Sequence, residues 1–159
     1  MLMADTRLDG PVEMMDGMLG QTGLAWQDTW SIGVPEMDRQ HGELLADFVR
    51  LLDPARRRDH VFQRQALEAL TEHVCHHFDD EEHLMRVYGY PERQAHAEVH
   101  AMLLKQLNHF ETLLQAQPED GPGPTILDFV GRWLIDHIRQ DDRRLGEFLR
   151  EVGAVPDGP

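Results

Sequence analysis

A histidine and a glutamate four residues apart are the first candidates for chemistry in this chain. His77 and Glu81 lie in a segment typical of an α-helix, where such a pair is separated by only about 40° around the axis. Apolar residues flank the pair at helical spacing, which predicts that both side chains point inward: Leu70, Val74, Phe78, Leu84, Met85 and Tyr88. A buried carboxylate beside a buried imidazole needs a hydrogen bond or a metal ion, because unpaired burial of charge is costly.

Further histidines lie on the apolar faces of three other segments with helical periodicity. His41 is on the first of these faces, and His137 is on the last. His96 and His100, again four residues apart, share the face between them. With His77, Glu81 and an aspartate after His137, the set comprises five histidines and two carboxylates. Imidazole with carboxylate suits iron, zinc or manganese, and seven donors exceed the four of a tetrahedral zinc, so the set predicts two metals bridged by carboxylates.

Helical spacing does not choose between the two aspartates that follow His137. Asp141 is four residues after His137, on the same face of the helix. Asp142 is five residues after it, about 140° around the axis. However, Asp142 is also four residues after Ile138 and three before Leu145, on the other edge of the same apolar face. Spacing therefore leaves both aspartates as candidates.

A single inward histidine is more often a hydrogen-bonded core residue than a metal ligand, so the metal hypothesis depends on the number of such groups. An apolar core has no reason to hold seven of them. The other histidines and the single cysteine are interpreted as bystanders: His60, His73, Cys75, His76, His83 and His109.

The elements that must position these residues are four amphipathic helices. Apolar residues recur at the i, i+3, i+4, i+7 spacing over residues 35–52, 58–87, 91–117 and 125–152, with Thr125 as the predicted N-cap of the last helix. Prolines and glycines separate the segments. Four such helices with short connections predict an all-α fold, an antiparallel up-down four-helix bundle.

The residues before the first helix predict an extended arm. Gly33 and Pro35 disfavour a helix there, and Trp26 and Trp30 are expected to pack against the bundle. Residues 1–24 are rich in Met, Gly and Asp and predict a loosely ordered N-terminal extension. The predicted organisation is therefore an extension over 1–24, the bundle over 25–153 and a C-terminal tail over 154–159.

The composition of the chain disfavours some classes of binding partner and favours one cellular compartment. The 159 residues carry a formal net charge of −14, which disfavours nucleic acid and anionic membranes. One cysteine precludes an internal disulfide and suits a reducing compartment. Neither a secretory signal nor a membrane span is expected. These features predict a cytoplasmic protein, taken to be a monomer.

The chain resembles the hemerythrins, in particular the bacterial single-domain form, over about residues 25–150. The resemblance rests on motifs in all four predicted helices and in the arm: Trp26, Ser31-Ile32-Gly33-Val34, Met37-Asp38-Arg39-Gln40-His41, His77-Phe78, Glu81-Glu82, Leu84-Met85, Tyr88-Gly89-Tyr90-Pro91, His96, His100, Trp133 to Ile138, and Asp142. Every metal-ligand position of the family is filled at the family's spacing.

The resemblance implies a non-haem di-iron centre with an oxo or hydroxo bridge, and it favours Asp142 over Asp141. The implied ligands are His41 and His77 at the iron with an open coordination position, His96, His100 and His137 at the other iron, and Glu81 and Asp142 as bridges. Four apolar residues beside the ligands are expected to line the dioxygen pocket: Phe78, Trp133, Leu134 and Ile138.

The function implied by the resemblance is reversible dioxygen binding for storage, delivery or sensing, without enzymatic activity. An oxygen-consuming enzyme or a reductase would be the protein partner. The alternative is a di-iron enzyme with peroxidase, oxidase or nitric-oxide-handling activity. Iron storage is the weakest alternative, because two metals in a closed site make a poor store. The lack of a catalytic acid or base outside the ligand set favours binding.

Overall fold

A computed structural model of the chain describes residues 25–116 and 124–155. Five α-helices lie in these ranges: α1 (Pro35–Leu51), α2 (His60–Tyr88), α3 (Arg93–Ala116), α4 (Pro124–His137) and α5 (Arg143–Glu151). A π-helical turn, Ile138–Asp142, joins α4 to α5, so that these three elements form the fourth helix of the bundle. The described residues contain no strand, and the predicted all-α class is confirmed.

The helices pack as the predicted four-helix bundle. α1 lies along α2, α2 lies along α3, and α4 closes the bundle against α1. The connections from α1 to α2 and from α2 to α3 are short, which makes these neighbours antiparallel. The prediction of Thr125 as an N-cap is wrong, because α4 already includes Pro124. Proline is favoured in the first turn of a helix, where its missing N–H has no helical partner to lose.

The long helix α2 carries its own start and stop signals. The Asp59 carboxylate accepts a hydrogen bond from the Phe62 N–H at 3.0 Å, which caps the first turn. Gly89 ends the helix in the left-handed conformation, with φ of 69°, and the Tyr90 N–H donates back to the Met85 carbonyl at 2.8 Å. The length of α2 thus places His77 and Glu81 well inside the bundle.

Tyr88 was expected on the buried stripe of α2, and this prediction is wrong. Its side chain is 40% exposed, whereas Tyr90 is only 7% exposed. The chain reverses at Gly89, so the ring that turns back onto the bundle is Tyr90. That ring packs 5.1 Å from Phe148 and 6.3 Å from His96, measured between centroids.

The N-terminal arm is not fully extended, because Asp28–Trp30 forms a 3-10 turn. Trp30 is buried, as expected, and Trp26 packs against the core. The Asp38 carboxylate accepts hydrogen bonds from the Ser31 hydroxyl at 2.6 Å and from the Ile32 N–H at 2.8 Å. The arm is thereby fastened to the first turn of α1.

The arm also lies directly on α5. Gly146 faces the Ile32 carbonyl, which occupies the space that a Cβ atom at position 146 would need. The Arg150 guanidinium donates to the same carbonyl, and the Arg143 guanidinium donates to the Thr29 carbonyl at 2.7 Å. α5 begins directly after Asp142, so the arm braces the end of the fourth helix.

The predicted extension over 1–24 and most of the predicted tail lie outside the described residues, so the domain boundaries stay predictions. Within the described residues, no helix combines the length and the apolar character needed to cross a membrane.

Candidate metal centre

The seven residues predicted as ligands meet in the middle of the bundle. All are at most 4% exposed. They form two overlapping groups, in each of which the potential donor atoms lie within 4.8 Å of one another. The three-histidine group contains His96, His100, His137, Glu81 and Asp142, and the two-histidine group contains His41, His77, Glu81 and Asp142.

The two carboxylates each face both groups. Oδ1 of Asp142 lies 3.0 Å from Nε2 of His137, and its Oδ2 lies 3.0 Å from Nε2 of His41. Oε2 of Glu81 lies 3.1 Å from Nε2 of His100, and its Oε1 lies 3.5 Å from Nε2 of His77. Each carboxylate therefore presents one oxygen to each group, which is the arrangement of a bridging ligand.

Several donor atoms in this cluster lack hydrogen bonds. Five buried atoms have no partner at acceptable hydrogen-bond geometry among the described residues. They are both carboxylate oxygens of Glu81, both carboxylate oxygens of Asp142, and Nε2 of His96. An unsatisfied buried polar atom costs about 1–3 kcal/mol. Cations among these atoms would satisfy all of them, so the donor set fits a pair of metal ions.

The π-helical turn brings Asp142 into the cluster. A π turn has i→i+5 hydrogen bonds, which bring residues five apart close together on one side of the helix. Asp142 thus faces the cluster together with His137, and it is fully buried. Asp141, whose side chain is 24% exposed, lies behind His137 and accepts a hydrogen bond from its Nδ1–H at 2.9 Å. The structure therefore separates two aspartates that helical spacing left equal.

Hydrogen-bond partners of the imidazoles were missed by the sequence analysis. Gln40 Oε1 accepts from His77 Nδ1–H at 2.7 Å, and a Glu82 carboxylate oxygen accepts from His100 Nδ1–H at 3.0 Å. Because Nδ1 donates outward, Nε2 of each ring is directed at the cluster. Gln40 precedes His41, and Glu82 follows Glu81. Their sequence proximity to a candidate ligand was the signal that could have found them.

Opposite charges dominate the electrostatics of the cluster. Burial and the Asp142 carboxylate raise the pKa of Glu81, but the imidazoles around it, His77 foremost, outweigh them and lower it to about 2. Burial lowers the pKa of His137, yet the Asp142 carboxylate raises it to about 10. For His96, burial again lowers the pKa, and the Asp142 and Glu81 carboxylates, whose oxygens lie 3.1 Å and 3.5 Å from its Nε2, raise it to about 9. The carboxylates are anionic, and positive charge must balance them.

Aromatic rings lie against the imidazoles. Phe78 stacks on His100 with centroids 3.6 Å apart, and Trp133 stacks on His137 at 4.6 Å. These two stacks are on the three-histidine group, but the Phe78 ring also lies 5.9 Å, between centroids, from His77 of the two-histidine group, where the open coordination position is expected. Leu134 and Ile138, the other expected pocket residues, are buried. Their role in lining a dioxygen pocket stays a prediction.

None of the histidines interpreted as bystanders belongs to either donor group within the described residues. His73 pairs with Asp47, and Nδ1 of His76 lies 3.3 Å from Asp80. His60, His83, His109 and Cys75 are likewise outside both groups.

Known proteins similar to this chain share its predicted family. The family model described as the hemerythrin HHE cation binding domain matches residues 32–149. A bacteriohemerythrin of Pseudomonas aeruginosa (strain LESB58) is 29% identical over 119 residues, covering 75% of this chain and 76% of that protein. A bacteriohemerythrin of Stenotrophomonas maltophilia (strain R551-3) is 28% identical over 136 residues, covering 80% and 88%. A hemerythrin-like protein of Naegleria gruberi is 25% identical over 119 residues, covering 75% and 87%.

The fold agrees with a solved structure. A crystal structure of a leucine-to-phenylalanine mutant superposes with a TM-score of 0.74 at 25% identity, covering 81% of this chain and 98% of that chain. The region matched by the family model contains all seven buried donors of the cluster. The chain belongs to the hemerythrin family.

Proposed function

We propose that this protein binds dioxygen reversibly at a non-haem di-iron centre and is not an enzyme. The observation that carries the proposal is the pair of buried donor groups that share Glu81 and Asp142. Imidazole and carboxylate donors together suit iron. Two iron ions bound there would supply the electrons and the open coordination position that reversible dioxygen binding needs.

The assignment of ligands follows the two donor groups. One iron would be held by His96, His100 and His137, and the other by His41 and His77, with Glu81 and Asp142 as bridges. The two-histidine group has one imidazole fewer than the other group. We therefore assign the open position for dioxygen to the side of His41 and His77.

The chain's own contribution is to hold the donors and to exclude other reactive groups. The described buried polar residues outside the cluster are Gln40, Asp47 and Gln63. Gln40 bonds to His77 and Asp80, Asp47 pairs with His73, and Gln63 donates to a backbone carbonyl at 3.1 Å. None of them is a free acid or base at the cluster. Among the described residues, this lack of a free carboxylate or imidazole beside the cluster supports binding rather than turnover.

A single redox cycle tests the proposal. The purified full chain is loaded with iron, its iron content is measured, and the reduced protein is exposed to dioxygen and then flushed with argon. Two irons per chain and recovery of the deoxy absorption spectrum are expected. One zinc per chain would remove the di-iron assignment. Irreversible oxidation coupled to the consumption of a substrate would instead support the peroxidase, oxidase or nitric-oxide-handling alternative.

A further inference from the structure

Two of the imidazoles of the three-histidine group donate their outer protons to carboxylates. His100 Nδ1–H donates to Glu82 at 3.0 Å, and His137 Nδ1–H donates to Asp141 at 2.9 Å. A carboxylate partner gives an imidazole partial anionic character and makes its other nitrogen a stronger electron donor. It also adds a negative charge a few ångströms from any cation held by that ring.

Among the residues that the structure describes, neither imidazole of the two-histidine group has such a carboxylate contact. His77 Nδ1–H donates at 2.7 Å to Oε1 of Gln40, a neutral amide. His41 Nδ1 is buried and has no hydrogen-bond partner among the described residues. The outer partners of the two groups therefore differ in charge, although the groups share both of their inner carboxylates.

The orientation of the Gln40 amide is determined by its other contacts. Its Nε2 donates to Asp80 at 2.7 Å and reaches Glu36 at 3.4 Å. A carboxylate can only accept from the nitrogen, so the amide oxygen must face His77. Gln40 is 4% exposed, and its side chain is held at both ends.

We propose that this difference in outer charge makes the two metal positions unequal in oxidation preference, and that Gln40 is the positioning residue that maintains the difference. The inference rests on the proposed di-iron centre. Glu82 and Asp141 favour the higher oxidation state at the three-histidine position, because negative charge stabilises the more highly charged cation. Gln40 orients His77 without adding charge, and so it favours the ferrous state at the two-histidine position.

The test compares charge changes of opposite sign in the iron-loaded full chain. Midpoint potentials are measured by titration with dithionite and ferricyanide, which exchange one electron per iron and leave the Nδ1–H bonds in place. Asp141→Asn removes an outer charge and is expected to shift the potential upward. Gln40→Glu adds one and is expected to shift it downward. Because Asp80 and Glu36 face position 40, Gln40→Glu is also combined with Asp80→Asn, so that an amide can donate to the new carboxylate.

Asp47→Asn is the matched control. It makes the same carboxylate-to-amide change in a buried residue paired with His73, which lies outside both donor groups. Its potential is expected to equal that of the wild type. Asp141 also pairs with Arg144 at 2.5 Å, so Asp141→Asn could disturb the structure as well as the charge. If the Asp141→Asn protein does not retain iron, Glu82→Gln replaces it, because it makes the same carboxylate-to-amide change beside His100.

The sign of the shifts in midpoint potential distinguishes an effect of charge from an effect of structural damage. Loss of an outer hydrogen bond typically weakens metal binding by about 10- to 100-fold, so iron content is measured in every variant. Loosening of the ligands would move both potentials in the same direction, whereas the proposal requires opposite directions. Shifts of equal sign, or no shift, in variants that hold two irons would overturn it. A wild-type chain that fails to hold two irons would instead overturn the proposed function.

Discussion

The side chains of His137 and Asp142 approach to 3.0 Å, Nε2 to Oδ1, although the residues are five positions apart. In a regular α-helix that spacing separates side chains by about 140°. The π-helical turn over Ile138–Asp142 removes the separation. π turns inserted in α-helices are frequent at functional sites, and here the turn gives the cluster its second shared carboxylate.

Replacing the two aspartates should have unequal effects on metal binding. Asp142→Ala is expected to lose at least one iron per chain, because it removes an oxygen from each donor group. Asp141→Ala should be milder, with a reduction of affinity by about 10- to 100-fold, since Asp141 contacts His137 from outside both donor groups. Iron analysis after dialysis against a chelator measures both. The reverse order would show that Asp141 is the bridging residue.

Filling the space between the arm and α5 should destabilise the protein. Gly146→Ala places a Cβ against the Ile32 carbonyl, and the clash should cost about 1–3 kcal/mol in the free energy of unfolding. Urea denaturation measures the change. Gly42→Ala is the control, because a Cβ there meets nothing within 4 Å. Alanine should stabilise α1 by about 0.5–1 kcal/mol at that position. Equal effects of the two substitutions would mean that the arm moves away from α5 without lowering the free energy of unfolding.

The metal-free protein should lose stability as the pH rises from about 6.5 to 10. The pKa values of His96 and His137 are raised from 6.5 to about 9 and about 10. Their contribution to the free energy of unfolding is therefore complete below pH 6.5, and it disappears as the pH rises through their pKa values in the folded protein. Glu81, lowered from 4.5 to about 2, contributes above 4.5 and loses its contribution as the pH falls toward 2.

Urea unfolding with a chelator present, at about pH 6 and about pH 9.5, measures this dependence. The affinity for iron should have the opposite pH dependence, because protons compete with the metal for the imidazole nitrogens. Iron retention should therefore fall on acidification. A metal-free protein that is more stable at the higher pH would contradict the charge pairing inferred for the cluster.

A polar residue in the expected apolar wall should accelerate oxidation of the reduced protein by dioxygen. Leu134 is 4% exposed, and Leu134→Asn would admit water toward the site. Leu134→Met is the control, since a swap that conserves volume costs less than about 1.5 kcal/mol. Autoxidation is followed by absorption in samples with equal iron content. Equal rates for the two variants would show that position 134 does not shield the site.

The helices and the composition of the cluster could be predicted from the sequence alone. Apolar residues at helical spacing indicate which face of a helix is buried, and the candidate ligands lie on those faces. The number of histidines and carboxylates there also predicted a site for two metals. The two-metal site stays a prediction, whereas the buried helix faces could be predicted because side-chain direction on a regular helix depends only on position along that helix.

The tertiary structure decided the features that depend on irregular backbone or on two helices at once. Helical spacing assumes a constant rotation per residue, so it could not distinguish Asp142 from Asp141 across a π turn. The same limit misplaced Tyr88, which lies at a chain reversal. Gln40 reaches His77 from α1 to α2, and such a contact depends on how two helices are rotated against each other. That rotation results from the packing of the whole core, which no single helix encodes.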